Sequence, residues 1–91
     1  MVVGGYTQQN EADHGEFKEV ADFAVDELNR RSNAMYPLEL KQIKNVETQV
    51  VAGTNYRLTL SVGGGPQNNA HDVTVVVFEG LDGNKEFVKH E

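Results

Sequence analysis

The chain has no cysteine, which excludes disulfides, a thiol nucleophile, thiolate metal sites and sulfur redox chemistry. No apolar run approaches the roughly 18–20 residues that a membrane span requires. The N-terminus lacks the basic segment and apolar core of a secretory signal, so the chain is expected to be cytosolic or to have lost its signal. Positive charge is scarce: eight Lys and Arg stand against fourteen Asp and Glu, for a net charge of −6. That balance repels phosphate backbones and anionic lipid surfaces, which argues against nucleic acid and membrane partners. The 91 residues amount to a single domain over 1–91, with an apolar and charged content typical of a folded chain.

Groups that could carry chemistry are also missing. His14, His71 and His90 lie far apart without carboxylates at metal-ligand spacing, and read as surface histidines. The glycines 63–65 lack the lysine and following helix of a phosphate loop, and Pro66 interrupts them. Asp13, Glu16, Asp22 and Asp26 fall on the solvent side of a helix, and neither Ser32 nor Ser61 has a recognisable base nearby. No cofactor, metal or enzymatic activity is expected.

What is present is one strong helix pattern. Phe17, Val20, Ala21, Ala24 and Leu28 form a narrow apolar stripe, with Lys18, Asp22, Asp26 and Asn29 opposite. Val25 lies at one rim and Phe23 beyond the other, where it either covers a sheet edge or stays partly exposed. Asp13 and Glu16 resemble a capping box, and Arg30 and Arg31 complement the C-terminal dipole, so the spacing predicts a helix over 14–31.

Beyond Pro37 the period changes to alternation, clearest at Tyr56, Leu58, Leu60 and Val62. The alternation is imperfect over 38–51, and a change of phase at Ile43 predicts a bulge near 42–45. Residues 73–78, rich in valine, read as a central strand and 87–90 as a short final one, with a loop over 63–69. The sum is one helix followed by an antiparallel meander whose apolar face the helix covers.

In that meander the turns near Gly53 and Gly83 emerge at the same end. Asp82 and Gly83 form a two-residue hairpin signal, but Leu81 beside them has no core to enter. In the other turn Val51 and Ala52 face outward at the apex, which suggests a binding edge. Equally, Val50 and Val51 can be strand residues with the turn falling one or two positions later.

Gln49, Val50, Val51, Ala52 and Gly53 resemble the glutamine–valine–x–glycine hairpin of the cystatins, and Gly4 and Gly5 stand where that family has its trunk glycine. Residues 22–29 and the run from Arg31 to Tyr36 resemble the family's helix and its end, and the likeness spans nearly the whole chain. Residues 2–6, 46–60 and 75–80 look most like secreted salivary cystatins of ticks.

The resemblance implies an α+β fold, one long helix packed on a curved four- to five-stranded antiparallel sheet. It implies a reversible, competitive inhibitor of papain-like cysteine proteases of the cathepsin L, S and B type, the alternative being a non-inhibitory binding or scaffold protein of the same fold, against which the intact Gln49 to Gly53 motif argues. Val2 and Val3 would fill substrate subsites, Gly4 or Gly5 would be the hinge, and residues 49–53 with Leu81 and Asp82 would complete the wedge. Two features depart from the family: Gly80, Leu81, Asp82 and Gly83 replace a Pro-Trp pair, which implies a weaker second hairpin, and the two disulfides of secreted members are absent. Secretion after signal removal and a cytoplasmic location both remain open. Ser32 and Asn33 match the start of a legumain-binding motif, although Ala34 departs from its usual acidic residue; the plainer reading of Asn33 is the helix C-cap in left-handed conformation, and the two roles are compatible. A monomer is expected, with hairpin exchange into a dimer as the alternative because opening the first hairpin would relax Val51.

Overall fold

Leu58, Leu60, Val62, Val73, Val75 and Val77, one face of two adjacent strands, close with Val46 and Phe87 over one side of a helix to form the core. Burying each such valine or leucine contributes roughly 1.5–3 kcal/mol. The computed structural model describes residues 5–10, 15–32, 35–66 and 69–91. Strands β1 (Thr7–Gln8), β2 (Glu39–Val51), β3 (Gly53–Gly64), β4 (Asn69–Glu79) and β5 (Lys85–His90) form one antiparallel sheet in that order, and helix α1 (Lys18–Arg31) follows β1. The fold is α+β, with five strands, elongated at 49 × 25 × 20 Å, so the two ends of the sheet are well separated.

The helix buries Val20, Ala21, Ala24 and Val25, while Phe17, Phe23 and Leu28 pack partly buried at its margins. Val25 therefore belongs to the centre of the stripe and Leu28 to its edge. Ala21 and Ala24 are fully buried, and their small side chains let the backbone approach the sheet closely enough to carry Val25 inward. The helix starts at Lys18 rather than near 14, after a 3₁₀ turn over 15–17, and Phe17 at the N-cap supplies no side-chain hydrogen bond. Glu16 thus precedes the helix instead of closing a capping box; Asp13 and His14 lie outside the described residues. Arg30 and Arg31 occupy the last turn, and the Arg31 guanidinium sits 4.5 Å from the centroid of the Phe87 ring.

Strand β2 carries two register shifts, between Leu40 and Gln42 and between Ile43 and Asn45. Lys41 and Lys44 are the extra residues, so the expected bulge over 42–45 is joined by one just before it. Leu40, Ile43 and Val46 thereby face Val62, Leu60 and Leu58, an i, i+3, i+6 spacing matched to i, i+2, i+4. Of the loop expected over 63–69, Gly63, Gly64 and Asn69 belong to strands, because β3 runs through Gly64 and β4 begins at Asn69. A Cβ on Gly64 would collide with the Pro37 carbonyl oxygen, so glycine there permits close approach within a strand. The last strand begins at Lys85, two residues before the predicted 87.

Asn29, expected on the solvent side, is partly buried. Its Nδ2 donates to the Leu38 carbonyl at 3.0 Å and its Oδ1 accepts from the Leu38 N–H at 2.8 Å. One amide satisfies both backbone groups of Leu38 and ties the helix to the start of β2. The helix C-cap is Ser32, in extended conformation (φ −101°, ψ 146°), rather than Asn33, which lies outside the described residues.

Candidate functional site

The β2–β3 hairpin is as tight as its register allows. Val50 pairs with Thr54 and Val51 with Gly53, which leaves Ala52 alone at the apex. Val50 and Val51 are thus strand residues and the turn falls at Ala52, yet both valines remain exposed, Val50 by 75%. Gly53 has φ 122°, and a Cβ there would lie 2.6 Å from the Glu79 carbonyl oxygen and 2.7 Å from Phe78 Cζ. Conformation and space both require glycine. Below the apex, Asn55 Nδ2 donates to Gln49 Oε1 at 3.0 Å and cross-links the strands.

The β4–β5 hairpin has a three-residue loop rather than the two-residue turn predicted at Asp82 and Gly83. Gly83 N donates to the Gly80 carbonyl at 3.0 Å and Gly80 N to the Asn84 carbonyl at 2.9 Å. Gly83 takes the left-handed conformation (φ 86°). Asp82 acts through its side chain, Oδ1 accepting from Asn84 N at 3.0 Å. That bond rigidifies the loop and leaves Leu81, 89% exposed, as its apolar point.

Thr54 pairs with Glu79, and Glu79 with Lys85, so the two tips stand side by side at one end of the sheet. A groove between them is lined by Ala52, Phe78, Gly80 and Leu81. On the helix side of this end, Lys85 Nζ is 2.9 Å from Glu19 Oε1, which anchors the second hairpin to the first turn of the helix. The hydrogen bond to Glu19 holds the Lys85 ammonium protonated above the ordinary lysine range. Removal from water, helped by Glu79, raises the neighbouring Tyr56 hydroxyl likewise.

The first described strand pairs with β2 next to this hairpin. Thr7 pairs with Thr48 and Gln8 with Glu47, so the antiparallel direction points Tyr6 and Gly5 along β2 toward its Val50 end. Gln9 N donates to the Val46 carbonyl at 2.8 Å and Gln9 Nε2 to Thr48 Oγ1 at 2.8 Å, and Gln8 Nε2 bonds Asn45 Oδ1. The Tyr6 ring lies over Arg57, 5.9 Å from guanidinium to centroid, and Arg57 Nη2 pairs with Glu91 at 2.9 Å. Loss of hydration acts to raise the Glu91 carboxyl, but hydrogen bonds from Arg57 and Lys89 prevail and hold it below the usual range. Gly5 is exposed with nothing within 4 Å of a Cβ, so packing imposes no glycine there. Val2, Val3 and Gly4 lie outside the described residues.

The structure therefore gathers Gln49, Val50, Val51, Ala52, Gly53, Leu81 and Asp82 at one end of the sheet, with Gly5 two residues before the strand that pairs beside Thr48. Ser32 lies at the helix's C-terminal end, beyond the last turn, and Met35 and Tyr36 farther along the chain are exposed. Sequence reasoning did not find Phe78, β1 or the bonds of Asn29. A two-residue strand leaves no periodic signal, and Phe78 sits inside an apolar run that reads as core. Among the described residues, no three His, Asp or Glu side chains are grouped to hold a metal ion.

Comparison with known proteins gives a consistent result. A family model described as a cystatin domain matches residues 4–90. Cysteine proteinase inhibitor 3 of Arabidopsis thaliana is 37% identical over 78 residues, covering 85% of this chain and 61% of the relative. Salivary cystatin-L of Ixodes scapularis is 34% identical over 102 residues, covering 92% of this chain and 77% of the relative. The chain spans 61%, 27% and 50% of three Arabidopsis inhibitors that it matches. Among solved structures, a salivary cystatin of the soft tick Ornithodoros moubata superposes with a TM-score of 0.80 at 22% identity, covering 99% of this chain and 97% of that one. Mialostatin, a gut cystatin of Ixodes ricinus, gives 0.77 at 18% identity, covering 96% and 95%.

Proposed function

Because the chain belongs to the cystatin family, we propose that it is a reversible, competitive, tight-binding inhibitor of papain-like cysteine proteases, of the cathepsin L, S and B type, and not an enzyme. The observation that carries this reading is the exposure of Val50 just below the apex of one hairpin and of Leu81 at the point of the next, both hairpins being tightened by glycine. Isolated apolar residues on a surface need no explanation, but apolar points on rigid turns sharing one edge form a surface suited to a cleft.

In this reading residues 49–53 lie over the catalytic groove and Leu81 and Asp82 beside it. Val2 and Val3 enter the substrate subsites, with Gly4 or Gly5 as the hinge. Inhibition is by occlusion: the hairpins present side chains and backbone edges, and no peptide bond is delivered to the thiolate. The edge is built before binding, by the Gln49–Asn55 bond, the Asp82 bond to Asn84 and the Lys85–Glu19 pair. Little ordering entropy is then lost on association, so an interface of modest area binds tightly. Leu81 buries less area than an indole would, which makes the second hairpin the weaker partner.

The monomer is the working form, since the left-handed backbone at the first tip falls on Gly53, where it carries no side-chain penalty. Secretion is the matching location, as the names of the salivary relatives suggest. The loop after the helix is a second, weaker candidate surface, for legumain. It is supported by the exposed Ser32 and by Asn29, which holds the loop's far side at Leu38.

Titration of active-site-calibrated papain and a cathepsin L-type protease with the purified chain tests the main reading. Activity is expected to vanish near one-to-one stoichiometry, and activity undiminished at micromolar inhibitor would overturn it. Asn33→Ala is expected to abolish legumain inhibition while leaving papain inhibition intact; no legumain inhibition by the unaltered chain ends the second reading.

A further inference from the structure

The backbone ladder joining the two hairpins ends at Thr54 and Glu79. Beyond that pair the tips have no shared strand hydrogen bonds, and their outermost side chains, Ala52 and Leu81, are exposed. The Lys85–Glu19 pair anchors the second hairpin to the helix, and side-chain packing next to the last rung is what can hold one tip in line with the other.

Phe78 occupies that place. It pairs with Asn55 and Glu86, which alternation puts on the sheet face away from the helix, and it is not part of the helix-side core. Its ring is half-buried all the same. A Cβ on Gly53 would lie 2.7 Å from Phe78 Cζ and 2.8 Å from Cε1, so the backbone of the first tip rests directly on one edge of the ring. A Cβ on Gly80, at the root of the second tip, would lie 3.7 Å from Cε2, on the ring's other side. The same ring lines the groove between the tips with Ala52 and Leu81.

We infer that Phe78 is a positioning residue: its ring, set between Gly53 and Gly80, holds the two hairpin tips in one alignment so that they meet a protease as a single edge. This rests on the inhibitor reading above. A phenyl ring has two torsions and a flat, stiff body, so the Gly53 backbone packed on one edge has little freedom, and Gly80 stands close to the other. An aliphatic side chain would leave one contact unfilled and let the tips move independently, and that freedom would be lost again on binding.

The test is a cycle of Phe78→Leu, Leu81→Gly and the double variant, with inhibition constants against papain and melting temperatures for each. Phe78→Leu is expected to raise the inhibition constant by about tenfold. In the Leu81→Gly background, where the second tip no longer makes its contact, the same change is expected to add less than about threefold, because alignment then has nothing to align. Phe78→Tyr keeps the ring and is expected to stay within about threefold of the unaltered chain. A purely structural role predicts a lower melting temperature with an unchanged inhibition constant, and that result overturns the inference. So does an undiminished Phe78→Leu penalty beside Leu81→Gly, which would mean that Phe78 touches the protease by itself. Should Phe78→Leu fail to fold, Phe78→Met carries the same comparison. If the unaltered chain does not inhibit at all, both this inference and the inhibitor reading fall; if it inhibits and Phe78→Leu inhibits equally well, only the inference falls.

Discussion

Replacing Gly53 with alanine adds one methyl group at the place least able to receive it. The new Cβ would stand 2.6 Å from the Glu79 carbonyl oxygen and 2.7 Å from the Phe78 ring, well inside van der Waals contact, on a residue with φ 122°. Holding an L-residue in that region costs about 1–3 kcal/mol, and overpacking against a backbone atom adds about 1–3 kcal/mol. The sum, about 2–6 kcal/mol, compares with about 5–14 kcal/mol of total stability for a chain of this length. At roughly 4–8 °C per kcal/mol, the lower bound predicts a fall of at least about 8 °C in Tm, read by circular dichroism. If the tip relaxes to relieve the clash, the same 2 kcal/mol appears as a roughly thirtyfold higher inhibition constant for papain. Gly83→Ala is the internal control. Its φ of 86° is also left-handed, but nothing lies within 4 Å of its Cβ, so only the conformational cost of about 1–2 kcal/mol applies. A Gly53→Ala chain that melts no lower than Gly83→Ala and also inhibits papain as well as the unaltered chain would refute the packing account.

Three further outcomes are expected. Asn29→Ala leaves both backbone groups of Leu38 without their partner and should cost about 1–3 kcal/mol in urea unfolding, while papain inhibition, at the other end of the sheet, stays unchanged. Lys85 and Tyr56 both release their protons at higher pH folded than unfolded. Their contribution to stability is complete below about pH 10 and is lost as pH rises through the folded values, so stability should fall across that range in the unaltered chain and less steeply in Lys85→Met; a flat profile would contradict the assignment. Deleting residues 1–5 should raise the inhibition constant without lowering Tm, because β1 begins at Thr7; an unchanged constant would remove the N-terminal segment from the wedge.

How far these features were readable along the chain depends on the range over which their causes act. The helix was legible because Val20, Ala21 and Ala24 repeat with the helical period within a few turns, and β3 because Tyr56, Leu58, Leu60 and Val62 alternate. The start of the helix differs from the pattern because Asp13 and Glu16 match a capping box, while the chain uses a 3₁₀ turn and starts the helix at Lys18. The break of phase at Ile43 signalled a bulge, yet two were needed. Only pairing with Leu58, Leu60 and Val62 shows that β2 advances three residues for every two of β3.

Local pattern by itself determined the helix, the alternating strands and the glycines at both turns, since each depends on neighbours a few residues apart. Tertiary structure alone decided the rest. Gly53 is crowded by a ring twenty-five positions away in the chain, Lys85 is anchored by Glu19 across the fold, and the direction of the N-terminal segment follows from two ladder pairs with β2. The apolar residues of the candidate edge are ordinary in sequence. They become one surface because antiparallel pairing brings distant turns to the same end of the sheet, and pairing register is a property of the assembled strands.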